Sequence, residues 1–87
     1  MSSAYHFGEF VVSAEMVEAL ENYVHQRFAP GGFLEAVICN NFKEACGRAD
    51  GFNIRNLPAF AAYLYNEMPS PSQGSPEAYE AWLKGPT

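Results

Sequence analysis

Pro30–Asn56, PGGFLEAVICNNFKEACGRADGFNIRN, is the stretch on which the reading of the fold turns. A Pro-Gly-Gly break opens it, and an apolar residue then recurs every three or four positions from Gly32 to Ala49. Wound at about 100° per residue, Phe33, Leu34, Val37, Ile38, Phe42, Ala45 and Ala49 fall on one broad face. One helix over this span is expected, ending near Asp50-Gly51, where glycine suits a left-handed C′ position. Asn41 lies in the middle of the apolar face. Glu44 and Arg48 sit on its edge one turn apart, in the favourable acid-before-base order. A polar amide inside an apolar arc needs a hydrogen bond. Either Asn41 caps a helix or another backbone group, or Asn41, Glu44 and Arg48 form the polar floor of a pocket.

The flanking segments follow local rules. Tyr5 to Val12, YHFGEFVV, carries a weak strand alternation, and Gly8 permits a bend. A lone strand leaves its backbone unpaired, so this arm either lies over the helices or pairs with a second copy. Ser13 is a good N-cap for a first helix from Ala14 to Arg27, with Glu15 in its first turn and Val17, Leu20, Val24 and Phe28 on its buried face. Asn56 or a neighbour caps a third helix, and Pro58 fits its first turn. Leu57, Phe60, Ala61, Leu64 and Met68 form its apolar stripe. Pro69–Gly74 reads as a loop. Ser75-Pro76-Glu77 opens a short final helix that Tyr79, Trp82 and Leu83 dock on the body. The expected fold is mainly α: three helices plus a short C-terminal helix, with an extended or β-like N-terminal arm. Residues 1–87 make a single domain, with an arm over 1–12 and a helical body over 13–84.

Composition narrows the function. A chain of 87 residues with 48% hydrophobic and 17% charged content can bury a modest core and is not expected to be disordered. Aromatics reach 15%, more than so small a core needs, and a surplus suits an interface. The net charge of −5 argues against general binding to nucleic-acid phosphates. No apolar run is long enough for a membrane span, and no basic region followed by an apolar core suggests a secretory leader. Cys39 and Cys46, seven apart on one helix, would stand roughly 10 Å apart, too far for a disulfide. They read as small buried hydrophobes in a reducing, cytoplasmic setting.

No catalytic signature is present. His6 and His25 have no ligand-spaced partners, so no metal is expected. No Ser, Cys or Asp stands in a nucleophile motif, so no enzyme activity and no cofactor are expected. The charge distribution carries more. Outside residues 40–56 the chain has two basic residues, Arg27 and Lys84, against eight acids. Inside that window Lys43, Arg48 and Arg55 stand against Glu44 and Asp50. This locally positive, Asn-rich window offers forked guanidinium donors for phosphate or carboxylate. Asn41, Glu44, Arg48, Asn53 and Arg55 are the candidate ligand-binding residues, with Tyr63 and Tyr65 as stacking platforms. The plain alternative is that Arg48 pairs with Glu44 or Asp50 and that the asparagines only cap helices.

The run GGFLEAVICNNFKEACGRAD, then LPAFAAYLYNEMP, then GSPEAYEAWL, resembles a group of small phage and prophage accessory proteins over about residues 30–83. The shared pattern is a Gly-Gly-Phe-Leu helix start, a Gly-Arg-Ala-Asp helix end, a Tyr-Asn-Glu-x-Pro segment and a Gly-Ser-Pro-Glu start to a tryptophan-bearing helix. The resemblance implies a small non-catalytic protein that counters host defence. Two mechanisms follow. The reading preferred on the sequence is a sponge, built as a homo-oligomer, that sequesters an anionic nucleotide-derived immune signal. The alternative is a protein-interaction module that inhibits a host protein through an acidic, aromatic-rich surface. A ligand site predicts polar and basic groups converging in a closed concavity, whereas an inhibitor predicts a flat or convex aromatic patch with no pocket.

Overall fold

Ser13 sets the first boundary of the helical body. Its hydroxyl accepts the Met16 N–H at 3.3 Å and opens α1, Ala14–Gln26. In the computed structural model, which describes residues 2–85, the elements then follow as α2 Gly32–Ile38, α3 Phe42–Arg48, α4 Gly51–Arg55, α5 Leu57–Glu67, a 3₁₀ turn Ser70–Ser72 and α6 Pro76–Lys84. The chain is mainly helical.

The N-terminal arm is a β-hairpin. Strands β1, Tyr5–Phe7, and β2, Phe10–Val12, pair antiparallel with Tyr5 opposite Val12 and Phe7 opposite Phe10. Gly8 holds φ at 59° in the first position of the two-residue turn, the position that glycine fills in a type II′ hairpin. The arm, expected either to lie over the helices or to pair with a second copy, pairs within the chain and packs on α5. The outer edge of β2 is also satisfied. Val11 N–H donates to the Asn56 carboxamide at 2.8 Å, and that same side chain donates to the Phe52 carbonyl at 2.8 Å. One buried amide therefore ties the hairpin to the α4–α5 junction.

The helix expected over residues 32–49 is two helices. Asn40 adopts φ of 62°, a left-handed conformation that asparagine tolerates better than most residues. This ends α2. Asn41 then restarts the chain as the N-cap of α3, its carboxamide oxygen accepting the Glu44 N–H at 3.2 Å. The apolar periodicity runs through the break, but of the α3 residues only Ala45 is buried. A second correction follows at Asp50. Its carboxylate accepts the Asn53 N–H at 2.7 Å and caps α4, so Gly51 opens a helix where a helix end was expected.

The core draws on β2, α1, α2, α5 and α6, with Val12, Leu20, Tyr23, Ile38 and Phe60 essentially without solvent contact. Tyr23, absent from the expected core face, is its largest fully buried side chain. Its ring stacks on Tyr79 at 5.5 Å, and its hydroxyl donates to the buried Ser72 carbonyl at 2.8 Å. Phe28, expected on that face, is exposed because Arg27 turns left-handed at φ 61° and ends α1 before it. Arg27 then lies over the Trp82 ring, its guanidinium carbon 3.9 Å from the centroid, and donates to the Trp82 carbonyl at 2.8 Å. The indole N–H in turn reaches the Tyr23 and Val24 carbonyls at 3.2 Å. This reciprocal clasp seats α6 on the end of α1.

Candidate functional site

The break at Asn40-Asn41 decides the shape of the surface. It separates α3 from α2 and opens a groove of about 760 Å³ between them and α5. Val37, Phe42 and Ala45 form one wall, and Phe60, Ala61 and Leu64 form the other. Gln73 and Gly74 close one end, held there by Gln73 donating to the Leu64 carbonyl at 2.6 Å and Gly74 N–H donating to the Ile38 carbonyl at 2.8 Å. No charged side chain lines the groove. Two aromatic rings stand at its lips. Phe42 is 73% exposed and Tyr65 is 87% exposed. Phe42 was expected on a buried face, but at the first position of α3 its side chain projects out of the body.

A smaller recess adjoins the groove and shares Ala36 and Asn41 with it. Glu35, Cys39, Glu44, Arg48 and Pro76 contribute to its walls. Arg48 donates from Nε to Glu44 at 2.9 Å, one turn back on α3, and its other end lies across Gly32 at the start of α2. This ion pair is more than half exposed, so it stabilises the fold by a few tenths of a kcal/mol at most, on the order of exposed i,i+4 pairs. Glu77 and Glu80 on α6 stand near this recess. Burial first, and then the charges of Glu35, Glu77 and Glu80, push the Cys39 thiol above its ordinary pKa. Cys39 is therefore a protonated, buried thiol, and both cysteines are free.

The seven expected ligand residues divide into separate groups. Asn41, Glu44 and Arg48 meet at the recess, with Asn41 engaged as a cap and Arg48 engaged by Glu44. Asn53 and Arg55 lie on α4 and line neither concavity. Asn53 is buried, while Arg55 is exposed and folds back past Gly51. Tyr63 is only 7% exposed and packs edge-on against Tyr5 at 5.1 Å, which burial accompanies with a raised hydroxyl pKa. It presents no free ring face for stacking. Tyr65, two positions on and so nearly on the opposite side of α5, is the aromatic that reaches the groove. No family model, curated protein or solved structure matches this chain.

Among the described residues no group of three His, Cys, Asp or Glu gathers where a metal ion could be held. None of the described helices is long and apolar enough to cross a membrane. The groove itself was not read from the sequence. Its signal is the Asn40-Asn41 pair, in which one asparagine can adopt a left-handed turn and the next can cap a helix.

Proposed function

We propose that this chain is a non-catalytic protein-interaction module and that the groove between α3 and α5 is its contact surface. The observation that carries the reading is the pair of exposed rings, Phe42 and Tyr65, on the lips of an uncharged apolar groove. Phe42 does little for the fold where it stands. Burying such a ring gives about 1.5–3 kcal/mol, which is available to an association. Aromatic side chains at the centre of a desolvated patch are the usual hot spots of protein interfaces. The polar groups at the groove work for the fold: Asn41 caps α3 and Gln73 holds the α5 backbone. A nucleotide needs donors aimed at its phosphates, and no Lys or Arg lines the groove; Arg48 lies in the adjoining recess with its Nε on Glu44.

The resemblance to phage accessory proteins makes a host protein in the bacterial cytoplasm the target class. Native mass spectrometry of the chain recovered from bacterial lysate tests the reading. The expected result is a retained protein that is lost from the Phe42→Asp, Tyr65→Asp double variant, with melting temperature unchanged. A retained nucleotide that Arg48→Ala releases would overturn it in favour of the sponge mechanism.

A further inference from the structure

Resting on that reading, we infer the partner's chemistry: the groove takes an amphipathic α-helix of about three turns whose apolar face carries basic residues at one end. Three observations lead there.

The first is the backbone chemistry of the walls. Helices and a short closing loop form the groove, and no sheet edge faces into it. An extended peptide laid in it would bring a row of backbone N–H and C=O groups against apolar side chains with nothing to pair them. A helix arrives with those groups already satisfied, and helix-in-groove docking needs only apolar anchors at i, i+3, i+4 and i+7. The second is length. The α5 wall runs from Leu57 to Met68, about 16 Å at 1.5 Å rise per residue, which is about three turns of a partner helix.

The third is charge. The groove is uncharged, but its neighbour across Ala36 and Asn41 is edged by Glu35, and Glu77 and Glu80 stand close by on α6. All three are exposed. Arg48 shares the recess with Glu35 but is paired through Nε with Glu44, and among the described residues none of Glu35, Glu77 and Glu80 forms a salt bridge, so the carboxylates outnumber the cation there. Because the recess and the groove share Ala36 and Asn41, the end of a helix that leaves the groove on that side comes next to these acids. Lysine or arginine there completes the pairing and is drawn in by the overall charge of −5. A second copy of this chain is a poorer occupant, because two equally acidic molecules repel on approach.

The test is a display selection of a random 16-residue peptide library against the full chain, with affinities then measured by fluorescence polarisation at low and high salt. Enriched peptides are expected to be helical, with anchors at i, i+3 or i+4 and i+7 and Lys or Arg clustered at one end. Phe42→Asp with Tyr65→Asp should weaken them by at least about tenfold, as loss of hot-spot contacts does. The Glu35→Gln, Glu77→Gln, Glu80→Gln triple variant should weaken them at low salt only and flatten the salt dependence. Circular dichroism confirms that the variants fold. Binders that need Phe42 and Tyr65 but are extended, acidic or uncharged would overturn the helix inference and leave the groove reading standing. Binders indifferent to Phe42 and Tyr65, no enrichment at all, or a wild-type dimer that masks the groove would overturn both.

Discussion

Replacing Tyr23 by phenylalanine keeps the ring, its volume and its stack on Tyr79, and removes one oxygen. That oxygen donates to the Ser72 carbonyl at 2.8 Å, and both residues are fully buried. The variant loses the bond and leaves a buried carbonyl without its donor. Such a loss costs about 1–3 kcal/mol, since the stranded group keeps its desolvation penalty. Taking about 2 kcal/mol, the melting temperature should fall by about 8–16 °C for a domain of this size. Because small domains are stable by only about 5–15 kcal/mol, a change of that size is easily resolved. The assay is thermal and urea denaturation followed by far-ultraviolet circular dichroism at neutral pH. A midpoint equal to that of the wild type would refute the reasoning, and would mean that the 3₁₀ turn at Ser70–Ser72 is not held against α1 as described.

Asn56→Ala should cost about 2–4 kcal/mol, because it strands both the Val11 N–H and the Phe52 carbonyl, and hydrogen exchange should rise first in the hairpin. Arg27→Ala removes the cation–π contact and the bond to the Trp82 carbonyl, so stability should drop by about 1–2 kcal/mol and Trp82 emission should shift to the red as α6 loosens. Alkaline pH should destabilise the fold. Burial, first among the causes, raises the pKa of Cys39, Tyr23, Tyr63 and Tyr79 above their ordinary values of 9.0 and 10.0. The unfolded chain releases these protons before the folded chain does. Their stabilisation is therefore complete below the ordinary values and is lost as pH climbs past them. Urea midpoints measured from pH 8 upward should fall more steeply for the wild type than for Tyr23→Phe.

Local signals were the legible part of this fold. Ser13 and Ser75 announce α1 and α6 because a cap is a contact within one turn, and the sequence contains both partners. The apolar stripe of α5 put Phe60, Leu64 and Met68 correctly inside. What stayed hidden depends on the backbone's choice between two acceptable conformations. Asn40 can continue a helix or turn left-handed, and the apolar period around it is the same in either case. Gly51 can end one helix or, once Asp50 caps, begin another. The weak alternation over residues 5–12 reads as one strand, because two three-residue strands are too short to separate by pattern, although Gly8-Glu9 between Phe7 and Phe10 is a two-residue turn with glycine in first place. The candidate site fared in the same way. Glu44–Arg48 pairing was legible as an i,i+4 relation. The separation of Tyr63 from Tyr65, and of α4 from the groove, depends on how α3, α4 and α5 pack, which no single-helix projection contains.

The groove as contact surface is the central claim, and site-specific photocrosslinking tests it most directly. A benzophenone amino acid is placed at Tyr65, at Phe42 and, as a control on the exposed face of α1, at Glu18, and the chain is irradiated in bacterial cells. The account predicts the same protein adduct from positions 65 and 42 and none from position 18. Equal adducts from all three positions, or an adduct from position 18 alone, would contradict it.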